Sequence, residues 1–436
     1  KSHAERARLF ALPRSSWQDY DKSRISAGGG VFPRSAKSIT LSEQARRAIG
    51  LDKPTATPQE VMSAILKADV DLLWFGGIGT YVRAGAETDE QVGDRANDAI
   101  RIAGADIRAK VVGEGANLGM TQLGRIEAAQ AGVRLNTDAI DNSAGVNTSD
   151  VEVNVKIALS TPVREQRLNE SGRNALLAEM TDDVGRLVLR NNYQQTLALS
   201  LAERRGVAGN GFARRLMLAL EREGRLDRSV EYLPDDHAIA ERDRAGRGMT
   251  RPELSVLLAY AKLSLYDHLL ASAVPDDAYL GRELARYFPH ALVERFPEAI
   301  ATHKLRREIV ATQLANAIVN RAGPAVVTRI ADETGGDAAA TAYAFAAVRD
   351  AYSLTALNAE IDALDNKVAG DVQLELYAAV QRLLHSRMVW FIRNVDFSEG
   401  LERVVARFRD AVEAVAANIA SVVAPADAAA IAARAK

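Results

Sequence analysis

Cysteine is absent from all 436 residues. That excludes disulfides, thiolate nucleophiles and cysteine-based metal centres, and it fits a reducing, cytoplasmic setting. Lysine is scarce, with only eleven among 55 basic residues, so chemistry that needs a neutral amine has few candidates. Charge excess is missing too. The 55 basic and 57 acidic residues leave a net charge of -2, which favours neither nucleic acid nor an acidic membrane surface as a partner. Long apolar runs are lacking. The longest, residues 254–266, contains Lys262 and falls short of the roughly 20 residues a bilayer span requires. Chain entry shows no initiator methionine and no basic-then-apolar signal segment, so the chain is expected to have been cut from a longer one. Nor is there a G-x-x-x-x-G-K-[ST] or G-x-S-x-G element. The six histidines are scattered without ligand spacing, and His303, in H-K-L-R-R-E, reads as part of the solvated face of a charged helix.

What remains is an ordinary globular composition, 47% hydrophobic and 26% charged, in a chain long enough for two or three domains. Its organisation shifts near residue 160. Before that point, strand-like runs at 70–75, 110–112 and 133–135 alternate with helical spacing at 58–68, 90–102 and 122–131. The first of these, V-D-L-L-W-F, reads as a buried strand. Such alternation predicts a parallel sheet. Afterwards apolar residues recur at i, i+3, i+4 over 174–204, 254–271, 297–321, 339–351, 354–364, 372–395 and 398–423, which predicts helices. Ile309, Leu314, Ile318 and Val319 suggest one face of a long helix, and the Ala-rich tail, 412–436, reads as a packing helix. The expected architecture is α/β followed by all-α: residues 1–158 as a partial Rossmann-like nucleotide domain, residues 159–436 as a helical domain.

Three glycine-rich or polar segments sit where strands end. In the first, residues 70–82, the strand runs into Gly76, Gly77 and Gly79. Val82 stands where a dinucleotide fingerprint wants its third small residue, so the segment reads as the lining of a crevice rather than as the main pyrophosphate loop. In the second, K-V-V-G-E-G-A-N-L-G-M-T, Asn117 lies among Gly113, Gly115 and Gly119. Its carboxamide can read a flat amide or a sugar hydroxyl, and it can equally serve a turn in left-handed backbone; both readings stay open. The third, residues 136–154, is dense in short polar side chains. Asp138, Asp141, Asp150 and Glu152 do not match a calcium loop and have no histidine near them, so no metal is expected. Ser149 and Glu152 match a capping box, which predicts a helix starting at Ser149 and an anion-binding amino terminus there. Gly28-Gly29-Gly30-Val31-Phe32 is a glycine run that the sequence leaves undecided between loop and ligand approach.

With these segments in hand, the chain resembles the glutamate dehydrogenases. G-E-G-A-N at 113–117 is similar to their E-G-A-N motif, and D-N-S-A-G-V-N-T-S-D-V-E-V-N at 141–154 to their N-A-G-G-V-x-x-S-x-x-E-x-x-N stretch. Ser143, Ala144 and the early Asn154 depart from the short hexameric enzymes. Residues 25–37, 73–82, 249–262 and 303–321 look like the large bacterial NAD-dependent members, whose catalytic region precedes a helical domain. The resemblance implies NAD as cofactor and L-glutamate and 2-oxoglutarate as substrate and product. It implies that Asn117 bonds the nicotinamide half of NAD, with room left by Gly115 and Ala116. Asn142 would meet the nicotinamide ribose or carboxamide, Ser149 the side-chain carboxylate of glutamate, and Gly77 and Gly79 would border the crevice. It implies a homo-oligomeric parent. The family's reactive lysine, its proton-shuttling carboxylate and its first-strand fingerprint have no match here; no catalytic residue is expected in this chain, and the chain alone is expected to be inactive. A leucine or phenylalanine dehydrogenase, or a non-enzymatic scaffold, are the alternatives.

Overall fold

The computed structural model describes residues 2–418 and Val423. The chain divides into two compact units. Residues 1–143 with 250–253 form the first, and residues 144–249 with 254–436 the second.

The first unit is built on short strands. β1 (Ile39–Thr40) pairs antiparallel with β2 (Thr55–Ala56). β3 (Leu72–Phe75) runs parallel to β6 (Val111–Glu114), in the register Leu72 to Val111 and Phe75 to Glu114. Between them in sequence, β4 (Val82–Arg83) runs parallel to β5 (Ile102–Ala103). Parallel bridges join Val111 to Arg134 and Val82 to Met120, so the segment 133–135 adds a third row beside β6. Parallel strands need crossovers, and helices supply them. The Pro58–Leu66 helix starts cleanly because Thr57 and Glu60 form a capping box and Pro58 takes the first helical turn. Thr121 caps the Gln122–Gln130 helix through the Gly124 amide. Leu73, Phe75, Val82, Val112, Met120 and Ala128 meet in the core.

Two expectations fail in this unit. β3 is not buried on both faces: Leu73 and Phe75 point into the core, but Leu72 and Trp74 are 55% and 57% exposed. Side chains alternate along a strand, and only one face of this pair is covered among the described residues. The helix expected over 90–102 stops after Asp89–Val92 because Gly93 turns left-handed, with φ 76°. The buried Arg101 side chain then organises the irregular stretch after it, bonding Thr80 O, Asp94 O, Asp89 and Asp98.

The second unit is helical. The expected helix over 174–204 is two, Glu170–Glu179 and Thr181–Arg204, which meet at the buried Met180. Similarly, Pro297–Ala301 and Arg306–Ala322 replace the single helix expected over 297–321. Ile309, Leu314, Ile318 and Val319 on the second are all buried. The last described helix is Leu401–Ala417; the expected continuation over 419–422 and the tail 424–436 lie outside the described residues. Among the described residues, no helix is long and apolar enough to cross a membrane.

His303 sits in the break between those two helices and is 3% exposed, not on a solvated face. The chain interrupts its helix there so that the imidazole Nε2 reaches Asn154 O, at 3.1 Å, while Nδ1 accepts the Leu305 amide. Burial pulls its pKa below the ordinary value. A histidine held neutral in the fold binds fewer protons than in the unfolded chain. Its stability contribution is therefore present above about pH 6.5 and is lost as pH falls from there through the lower folded pKa. Denaturant titrations between pH 7 and pH 5 should show stability falling with acid. His303→Gln should flatten that slope, by up to about 1.4 kcal/mol per pH unit, one proton's worth. An identical slope in the variant would remove His303 from the account.

Candidate functional site

Three loops leave the carboxyl ends of the parallel strands and are tied to one another. The Phe75 carbonyl, at the end of β3, accepts from the amides of Gly115 at 2.9 Å and Ala116 at 3.1 Å. Tyr81 N–H donates to Gly119 O at 2.9 Å, closing the 76–80 loop against the 115–120 loop. The third segment closes from its own side. Asp141 accepts the Glu114 amide and the Asn136 side chain, and Asp138 accepts the Leu118 amide at 2.8 Å. Asp138 and Asp141 are therefore loop ties.

Beneath these loops lies a buried ion pair. Glu114, at the end of β6, is 1% exposed and Arg125, on the Gln122–Gln130 helix, is 5% exposed. They meet in two parallel bonds, Arg125 Nε to Oε1 at 2.7 Å and Nη2 to Oε2 at 2.9 Å. Asp138 adds a third oxygen at 3.2 Å from Nη2, and Glu114 Oε2 also accepts the Met120 amide. Burial pushes the Glu114 carboxyl up, against the pull of the guanidinium. A two-pronged pair with every oxygen bonded is the geometry that makes a buried charge tolerable. The sequence carries a signal for it: a lone glutamate on an otherwise apolar strand end, and an arginine beside Ile126 on the buried face of a helix.

The expected cofactor residues fall on this scaffold. Asn142 Nδ2 donates to Asn117 Oδ1 at 2.8 Å, so the second and third segments meet at their carboxamides. Asn117 Nδ2 and Asn142 Oδ1 have no hydrogen bond among the described residues. Asn117 thus keeps a free donor and Asn142 a free acceptor, the two kinds of group that a third carboxamide would need. The left-handed residue of this loop is Leu118, with φ 60°, not Asn117. The turn reading of Asn117 is thereby set aside.

The glycines have a different immediate role from the one expected. A Cβ at Gly115 would stand 2.3 Å from the Trp74 indole, and one at Gly113 2.6 Å from it. The room at Gly115 is taken by an exposed tryptophan lying across the strand end, a residue that the motif reading misses. Gly79 has φ 143°, and a Cβ there would stand 2.6 Å from the Asn97 side chain, whereas Gly77 is exposed and a Cβ there would meet the Tyr81 hydroxyl at 3.9 Å.

Ser149 departs from expectation. The helix begins at Ser143, not at Ser149, and runs to Arg164. Ser149 lies inside it, exposed, with its hydroxyl donating back to Gly145 O at 3.4 Å. The capping-box reading fails because the helix already starts six residues earlier. Asp150 and Asn154 in the same motif are bound into the second unit, both to the Tyr287 hydroxyl at 2.8 Å. Lys53, Lys67 and Lys110 in the first unit are held in exposed ion pairs with Glu60, Asp106 and Asp71. The lysine whose ammonium burial brings down to about 8, Lys262, belongs to the second unit and donates to Gln195.

A parallel-sheet edge with three tied loops and a paired carboxamide reader defines a candidate site for a flat amide-bearing ligand. Residues 1–202 match the family described as bacterial NAD-glutamate dehydrogenase, catalytic domain, and residues 246–436 match glutamate dehydrogenase, C-terminal. The chain is 50% identical over 393 residues, 90% of its length, to the NAD-specific glutamate dehydrogenase of Halomonas elongata. It is 50% identical over 407 residues to that of Pseudomonas aeruginosa, and 46% identical over 340 residues to that of Mycobacterium tuberculosis. The chain belongs to the bacterial NAD-glutamate dehydrogenase family. It spans 24%, 25% and 21% of the length of these relatives.

If the ion pair holds the loop, breaking it should be costly. Arg125→Met should lose about 3–5 kcal/mol of stability in the 436-residue chain, measured by denaturant unfolding. Adding Glu114→Gln should recover part of that loss. Strict additivity of the two substitutions would show that they are not coupled.

Proposed function

We propose that this chain is the later part of the catalytic region, with the helical domain, of an NAD-dependent glutamate dehydrogenase. The parent oxidises L-glutamate to 2-oxoglutarate and ammonium. The observation that carries this reading is the Asn117–Asn142 pair, with its unpartnered donor and acceptor, at the edge of a parallel sheet. NAD supplies the hydride acceptor when bound. The residues present suit its nicotinamide end: Asn117 Nδ2 would donate to the carboxamide oxygen and Asn142 Oδ1 would accept from its amine. Gly115 and Ala116 hold the loop that carries Asn117 against Phe75 O. Gly77 and Gly79 border the same strand end. We read the first unit as the later half of a Rossmann-like sheet.

Ser149 we assign to the glutamate side-chain carboxylate through its hydroxyl alone, since it has no helix amino terminus behind it. Lys53, Lys67 and Lys110 are tied in ion pairs, and a paired ammonium is a poor base or nucleophile. With the family's lysine motif absent from this sequence as well, the reactive amine is assigned to another part of the parent enzyme.

In the complete enzyme, Asn117→Ala should raise the KM for NAD roughly tenfold or more, the loss expected from about 1.4 kcal/mol of hydrogen bonding. The KM for glutamate should change much less. Steady-state kinetics with each substrate varied in turn separates the two. The 436-residue chain alone should not reduce NAD with glutamate. Unchanged NAD kinetics in the variant, or turnover by the chain alone, would contradict the proposal.

A further inference from the structure

The second unit contains a cavity of about 380 Å³ lined by Arg204, Arg205, Arg329, Arg382, His385 and Gln381, with Phe212 in its wall. Four helices bring these together. Arg204 ends the Thr181–Arg204 helix and Arg205 caps it; Phe212 is on Val207–Arg222, Arg329 on Val326–Thr334, and the others on Gly370–Asn394. Arg205 and Arg329 both lie over the Phe212 ring, at 5.6 Å and 4.6 Å from its centroid. The ring screens two cations that otherwise repel.

The charges around the cavity do not balance. Glu333 bonds His385 at 2.9 Å and lies 3.8 Å from Arg329, and Asp371, itself 92% exposed, is 3.5 Å from Arg204. Arg205 bonds a neutral amide, Gln381 Oε1, at 2.6 Å. Neither Arg205 nor Arg382 has a carboxylate partner among the described residues. Burial pulls the Arg205 and Arg329 pKa values down, and the charge of Arg329 lowers that of Arg205 further. Two buried nitrogens, Arg329 Nε and His385 Nδ1, have no hydrogen-bond partner among the described residues. Several guanidiniums that converge on one space with too few carboxylates are costly to keep for packing alone.

We propose that this cavity binds a small multivalent oxyanion, with a phosphoryl group as the chemistry it fits best. Guanidiniums present forked donors that match phosphate oxygens in pairs, and several converge here. The site is distinct from the strand-end loops, and it does not depend on the dehydrogenase reading.

Thermal unfolding of the 436-residue chain tests it, with inorganic pyrophosphate titrated against potassium chloride at matched ionic strength and glutarate as the dicarboxylate arm. Pyrophosphate should raise the Tm saturably, beyond the salt control, and more than glutarate. Arg382→Gln, an exposed position, and Arg205→Gln should each weaken the apparent affinity at least roughly tenfold, the loss of one charge-assisted hydrogen bond. Arg382→Gln should leave the ligand-free Tm unchanged, which keeps the test valid if Arg205→Gln unfolds. A larger response to glutarate would move the ligand class to dicarboxylates and overturn the phosphoryl assignment. A pyrophosphate shift no greater than that of the salt, or one that persists in Arg382→Gln, would overturn the site.

Discussion

Two parallel hydrogen bonds between Glu114 and Arg125, buried under the 113–121 loop, fix the part of this molecule proposed to read a ligand. A carboxylate at that depth is costly unless its oxygens are all engaged. The Glu114 oxygens take the guanidinium and the Met120 amide, and the guanidinium reaches Asp138, which in turn takes the Leu118 amide. The network thus grips both sides of Asn117 and Leu118. It holds Leu118 in a left-handed conformation that leucine rarely adopts, and leaves Asn117 exposed with its amide turned to Asn142. The carboxamide pair, Asn117 exposed and Asn142 half-buried, is the proposed reading surface and rests on a buried ionic floor.

The proposed nicotinamide site would give this floor a purpose. Nicotinamide carries a carboxamide, and a donor beside an acceptor is the smallest arrangement that can recognise one. Recognition of that kind depends on preorganisation, because a carboxamide reader free to rotate would bind water as readily. Trp74 adds a further constraint. Its indole lies over Gly113 and Gly115, so the loop glycines accommodate a neighbour's side chain as well as a bend in the chain. The helical unit has its own polar organisation. Tyr287 joins Asp150 to Asn154, and His303 seals the carbonyl of Asn154.

Periodicity makes the architecture legible in the sequence: strand runs at 72–75 and 111–114 and the helix containing Ile309, Leu314 and Ile318 fall where alternation and i, i+3, i+4 spacing predict. The departures have local causes. Gly93 ends a helix whose later spacing looks continuous, and the helix over 297–321 is broken so that a buried histidine can reach a backbone carbonyl. The first is a glycine stop written into the local sequence, and the second is a tertiary contact that overrides propensity. Ser149 differs from its expected place because a capping box of the right letters also occurs inside a helix that starts earlier. For the site, the motif letters identify Asn117 and Asn142, but their mutual bond and the Glu114–Arg125 floor depend on contacts between residues 11 to 25 positions apart, which spacing alone does not reveal.

Amide hydrogen exchange of the 436-residue chain, read residue by residue in wild type and in Arg125→Met, probes the floor directly. If the ion pair holds the loop, the Leu118 and Met120 amides, which donate to Asp138 and Glu114, exchange much faster in the variant. The amides of Lys110 and Val111, which donate to the Val70 and Asp71 carbonyls just before β3, should stay slow. Unchanged protection at Leu118 and Met120 would show that the loop keeps its shape without the buried pair, and the account of the site would fail at its base.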